Sequence, residues 1–137
     1  MIEVLYSDND VVEMRVSASN GTFSAAADVY AGYEAAANLA KEFTGFPESN
    51  KDVRSYELGT FDPKYAGGGV VLKLSSLDTL GHCCLAVRLR ADPQKNHTVE
   101  ANAQFSIKFE PASLDSFLLS LAKLGANVGA RASLNAA

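Results

Sequence analysis

Hydrophobic and polar residues alternate along most of this chain, and the period of the alternation marks its elements. Val12, Met14, Val16 and Ala18 alternate with Glu13, Arg15 and Ser17. That two-residue period is the signature of a half-buried strand. Asn20-Gly21 follows, a strong two-residue hairpin signal, and leads into a strand over 22–30 in which Phe23, Ala25, Ala27 and Val29 share a face. A shorter strand over 2–6 precedes them, set off by the turn cluster Asp8-Asn9-Asp10. The period then becomes helical. Tyr33, Ala36, Ala37, Ala40 and Phe43, with Leu39 beside them, recur at three and four residues and predict an amphipathic helix over 33–44. Gly45 and Pro47 stop it, and the polar residues 48–55 read as a loop.

The second half returns to period two. Strands are predicted over 56–61, ending at Asp62-Pro63; over 70–75, after Gly67-Gly68-Gly69; over 82–91, after Leu80-Gly81; and over 97–110, after a turn at 92–96. In the last of these Val99, Ala101, Ala103, Phe105, Ile107 and Phe109 alternate against Thr98, Glu100, Asn102, Gln104, Ser106 and Lys108. Pro111 is well placed to open a helix, with Ser113 or Glu110 as cap. Leu114, Phe117, Leu118, Leu121 and Leu124 form its stripe, and Gly125 stops it. Residues 126–137 are small and polar and read as a loose tail, leaving 1–125 as a single domain.

Three strands, a helix, four strands and a helix define an α+β fold. The expected architecture is an antiparallel sheet of six or seven strands, with one wet face and two helices packed on the other. The expected core is Leu39, Phe43, Leu72, Leu85, Val87, Phe105, Ile107, Leu114, Phe117 and Leu121. Centring the last hairpin near Gln94 sets Leu89 opposite Val99, Val87 opposite Ala101, Leu85 opposite Ala103 and Cys83 opposite Phe105. On the wet face it sets Arg88 opposite Glu100 and Cys84 opposite Gln104.

Composition narrows the function classes. A chain of 137 residues with 47% hydrophobic and 20% charged residues can bury an ordinary core without a staple. Its net charge of −4 argues against nucleic acid, because its twelve Lys and Arg form no basic stripe. The charge is compatible with a basic protein partner, and equally with plain solubility. The chain lacks a signal-like start and any apolar run near the ~18 residues of a membrane span. Cys83 and Cys84 are adjacent and point to opposite faces of a strand, so they do not pair in an ordinary disulfide. A reducing, cytoplasmic setting fits.

Candidate chemistry is sparse. His82-Cys83-Cys84 is the most reactive-looking string, but zinc wants four ligands, and His97 is the only further histidine. A catalytic Cys84 needs a positioned base, and His82, two residues along the strand, sits about 7 Å away. The three glycines precede a strand, whereas phosphate-binding glycines follow one and open a helix, so a bulge or a flexible start to the strand is the plainer reading. Gly-x-Ser-x-Gly is absent. No catalytic residue, metal site or cofactor is predicted, and an enzyme is the less favoured class. The candidate binding surface is the outer sheet face carrying Arg88, Arg90, Glu100, Gln104 and Lys108, with Tyr30, Tyr33, Phe61 and Tyr65 as aromatic anchors nearby. The plain alternatives are a solvated face and rings packed in the core.

One resemblance adds to this. The helix ending in Phe-Thr-Gly-Phe-Pro at 43–47, the strand Tyr-Glu-Leu-Gly-Thr-Phe at 56–61, Gly-Gly-Gly-Val-Val-Leu-Lys-Leu at 67–74, Asp-Thr-Leu-Gly-His at 78–82, Leu-Ala-Val-Arg-Leu at 85–89 and the Leu-rich final helix form one layout. It resembles small bacterial WapI-type immunity proteins and related uncharacterised families of the same shape. The resemblance implies a non-enzymatic cytoplasmic protein that binds and blocks a toxin domain. Two further readings stand beside it: a small-ligand-binding protein or enzyme using the concave sheet face, and a homo-oligomeric structural module paired through a sheet edge.

Overall fold

A computed structural model describes residues 1–97 and 99–135 of the chain; Thr98 of the expected strand, and the last two residues of the expected tail, lie outside them. The fold is α+β, with eight strands and two helices in the order β1 (Ile2–Ser7), β2 (Val12–Ser19), β3 (Ser24–Ala31), α1 (Ala35–Phe43), β4 (Arg54–Gly59), β5 (Gly69–Ser76), β6 (Cys83–Arg90), β7 (Asn102–Phe109), α2 (Pro111–Ala122) and β8 (Arg131–Ala132). The strands form two antiparallel sheets of four, ordered β3-β2-β1-β8 and β4-β5-β6-β7. The expected single sheet of six or seven strands is therefore corrected to two. A one-sided alternating strand looks the same whether helices or a second sheet cover its apolar side.

The inner faces of both sheets and the stripes of both helices share one core. In the first sheet Val12, Met14 and Val16 face Ala31, Val29 and Ala27 across the β2–β3 hairpin. In the second, Val70, Leu72 and Leu74 lie beside Leu89, Val87 and Leu85. Leu39 and Phe43 of α1, and Leu114, Phe117 and Leu121 of α2, complete it. The helices pack on each other, with α1 against β4 and α2 against β8. Nine of the ten expected core residues are buried; Phe105 is half-buried and stacks on Phe23, ring centroids 6.5 Å apart.

Contact between the sheets is concentrated where β3 meets β4, β5 and β6. There Gly68 N–H donates to the Asp28 carbonyl at 2.8 Å, and Thr60 N–H donates to the Gly68 carbonyl at 2.9 Å. A Cβ on Gly68 would lie 2.3 Å from the Arg90 carbonyl oxygen, and one on Gly59 2.2 Å from that of Gly68. These glycines are therefore present because backbone approaches backbone, which is more specific than the bulge expected of the triplet.

Two boundaries differ from expectation for tertiary reasons. The strand expected over 97–110 begins only at Asn102. Ahead of it a wide loop is closed by Asp92, whose carbonyl accepts from the Lys95 and Asn96 amides. Its carboxylate accepts from Gln94 N–H. The loop shifts the β6–β7 register by four residues from the expected one, pairing Leu89 with Ala103, Val87 with Phe105, Leu85 with Ile107, Cys83 with Phe109, Cys84 with Lys108 and Arg88 with Gln104. An even shift keeps the side chains of β6 and β7 on their expected faces, whereas Val99 and Ala101, expected inward, are exposed ahead of the strand. The segment expected as a tail supplies β8, pairing Ala132 with Ile2 and Arg131 with Glu3.

Candidate functional site

The outer face of the second sheet is built by alternation and register. One row across it reads Glu57, Val71, Arg88, Gln104; the next reads Ser55, Lys73, Ala86, Ser106; the third holds Ser75, Cys84 and Lys108. Neither helix covers this face, and Arg88, Gln104, Lys108, Lys73 and Glu57 are exposed. On the two central strands the long side chains of Arg88 and Lys73 stand among the smaller Val71, Ala86, Ser75 and Cys84. The Arg88 guanidinium lies 4.4 Å from the centroid of the Phe61 ring, a cation–π contact that fixes the direction of its charge. Phe61 is thus an expected aromatic anchor placed at this face. Tyr33 and Tyr65 are exposed, while Tyr30 pairs with Glu13 in the first sheet.

Arg90 and Glu100 do not join Arg88 as expected. Arg90 is only 4% exposed. Its Nη2 and Nε lie 3.0 and 3.3 Å from the Glu100 carboxylate, and its Nη1 lies 3.5 Å from the Gly67 carbonyl oxygen. Glu100 lies just ahead of β7 and is exposed; the hydrogen bond from Arg90 holds its carboxyl below the usual carboxylate range. This pair secures the glycine crossing, and the outer face keeps Arg88, Gln104 and Lys108 of the five expected residues.

A polar cluster that sequence reasoning missed sits on the outer face of the first sheet. Arg15 grips Asp28 through two bonds of 2.8 and 3.1 Å. Lys95, from the β6–β7 loop, donates to Glu13 at 2.6 Å and to Asp28 at 2.8 Å. Burial pushes the Asp28 carboxyl up, but the hydrogen bonds and charges of Arg15 and Lys95 outweigh it and hold the carboxyl below its usual range. The same contacts, Asp28 first and Glu13 second, raise Lys95 and keep it charged. A permanently charged lysine is neither nucleophile nor base; it straps the loop to the first sheet. A two-residue turn at Asn20-Gly21 would set Arg15 opposite Ala26; the loop instead spans 20–23 and sets Arg15 opposite Asp28, so that half was not legible from the hairpin signal. Lys95 gave no sequence signal.

His82 lies past the third row. Its Nδ1 is 2.6 Å from Asp78 Oδ2 and its Nε2 is 3.6 Å from a Glu110 oxygen. The hydrogen bond with His82 holds Asp78 below the usual carboxylate range. The Nδ1 atom is thereby committed to Asp78 rather than to Cys84. Cys83 is buried, which raises its thiol, and Cys84 is partly exposed. Among the described residues no group of three or more His, Cys, Asp or Glu could hold a metal ion, and no helix is long and apolar enough to cross a membrane.

The class these features define is a two-sheet α+β domain with one uncovered sheet face. No family model matches the chain, nor does any curated protein or solved structure.

Proposed function

We propose that this domain acts by binding another protein, without turnover, through the outer face of β4–β7. Support comes from one observation: a helix-free sheet face carrying Lys73, Arg88 and Lys108 against Glu57, in a chain of net charge −4. Local charge of that sign suits an acidic patch on the partner, the reverse of what the whole-chain charge suggests. The layout resemblance makes a toxin domain the partner class and neutralisation in the cytoplasm of a bacterium the role. Aromatic and arginine anchors carry most interface energy, so Arg88 on Phe61 is the expected hot spot.

The test is affinity capture from the producing cell with the wild type and with Arg88→Glu/Lys108→Glu. A partner retained by the first and lost by the second, with unchanged circular dichroism, is the expected result. Recovery of no partner, together with a hydrolytic or transfer activity abolished by one point substitution, would reverse the reading in favour of an enzyme.

A further inference from the structure

The two sheets meet at Gly68, and away from that crossing the space between them is not filled. A cavity of about 660 Å³ remains, walled by both inner faces and floored by both helices. The sequence explains why. On the second sheet and the helices the lining residues are large: Leu74, Leu85, Ile107, Phe43, Leu114 and Phe117. Opposite them, the tip of the β2–β3 hairpin presents Ala18 and Ala25, directly paired with each other. Leucines there would close the gap; alanines leave it open. The pocket is half-open to solvent, and a deep concave surface with largely apolar walls is the usual form of a small-molecule site.

The chemistry of the lining states what kind of molecule it suits. None of the lining side chains is charged, and the one charged group of the lining residues, the Met1 ammonium, is engaged in donating to the Ser17 carbonyl at 2.7 Å. The polar side chains of the lining are the hydroxyls of Ser17, Ser19, Ser24 and Ser133 and the amide of Asn135; of these all but Ser17 are exposed, whereas the large apolar ones are buried. The interior is therefore apolar and the rim offers neutral hydrogen-bonding groups. The hairpin tip that forms part of this rim is pinned to the edge strand β7, where Asn20 Nδ2 donates to the Ser106 carbonyl at 3.1 Å and Phe23 stacks on Phe105. Volume, apolar walls and a few neutral polar groups at one end are the attributes of a small-molecule pocket. A phosphate or carboxylate would find no cationic side chain there, and an ammonium no carboxylate.

We infer that the inter-sheet cavity binds a neutral, predominantly apolar small molecule with one hydrogen-bonding end, such as a long-chain alcohol, amide or ester. This site is separate from the docking face proposed above and stands or falls independently of it. The probe is N-phenyl-1-naphthylamine, an uncharged fluorophore, titrated into the full chain and displaced by 1-decanol. The expected result is saturable binding of one dye per chain, displacement by decanol, and weaker displacement by decyl phosphate and decylammonium. Ala25→Phe fills the cavity from its small-residue wall; it should weaken dye binding at least tenfold while leaving the melting temperature the same or higher. Ala18→Phe serves the same end if the first variant fails to fold. Arg88→Glu, on the opposite face of the second sheet, should bind the dye as the wild type does. Absence of saturable binding to the wild type would overturn the inference. So would wild-type affinity in a folded alanine-to-phenylalanine variant, loss of binding on Arg88→Glu, or displacement led by either charged analogue.

Discussion

Adjacent residues in this chain meet opposite fates, and the two cysteines show it most simply. Cys83 points inward beside Phe109 and is 1% exposed, while Cys84 stands outward between Ser75 and Lys108. Burial raises the Cys83 thiol, so both its access and its thiolate fraction are low. Iodoacetamide should modify Cys84 in the folded protein and Cys83 only in denaturant, as peptide mass spectrometry would show. Equal labelling of both under native conditions would mean that the end of β6 opens readily. The face of each cysteine was legible from period two alone, because a strand has only two sides. The opposing residue was not, since Asp92 closes a loop that no alternation records. Arg90 went the same way: its parity assigned it to the wet face, and the loop carrying Glu100 then folded over it.

Among the elements, the glycine crossing carries the most information. A Cβ at Gly68 would meet three backbone atoms, the Arg90 and Asp28 carbonyl oxygens and the Asp92 nitrogen, at 2.3, 3.0 and 3.1 Å. Backbone cannot rotate away as a side-chain tip can. Gly68→Ala should therefore destabilise by about 1–3 kcal/mol or more, in the range of overpacking. Gly32 has nothing within 4 Å of its would-be Cβ and no positive φ, so Gly32→Ala should fall within about 0.5 kcal/mol of wild type. Urea denaturation of the two variants checks the contrast; similar midpoints would show that the crossing relaxes. The sequence showed three glycines before a strand, and local pattern allowed a bulge. Their need for space arises from residues 28 and 90, tens of positions away in the chain. Helix α1 is likewise shorter than its pattern: Tyr33 fits the stripe but stays outside, 41% exposed, with no side-chain cap at Glu34.

At the scale of the molecule, the Glu13–Arg15–Asp28–Lys95 cluster ties a loop of the second sheet to the first and should make stability depend on pH. Asp28 is depressed in the folded state, so the stability it contributes is present above its unfolded value, about pH 4. That contribution is lost as pH falls through the lower folded value. Lys95 is raised, so its contribution is complete below about pH 10.4 and fades as pH rises through the folded value. Asp28 is 8% exposed, but its partners Arg15 and Lys95 are nearly half exposed, so solvent screens part of the interaction. Asp28→Asn should cost about 1–3 kcal/mol at pH 7, toward the lower end. The gap between wild type and variant in urea unfolding should narrow below pH 4. A gap that stays constant down to pH 2 would show that the carboxylate charge is not what holds the loop.

The sequence by itself determined the two helices, the antiparallel character of the strands and nine of the ten expected core positions, though not the exposure of Phe23 and Val99. Each of these follows from a period of two or near four, and a period is local. It also gave Arg88, Gln104 and Lys108 their place on an open face, and the candidate docking surface rests on that. Only the tertiary structure decided that the strands divide into two sheets, that residues 131–132 add an edge strand, that Arg90 is buried and Lys95 bridges, and that the facing walls leave a cavity. Those features depend on which apolar face meets which, and on bonds between residues distant in the chain, such as Lys95 and Glu13, 82 positions apart. Alternation states that a face must be covered; it carries no record of what covers it.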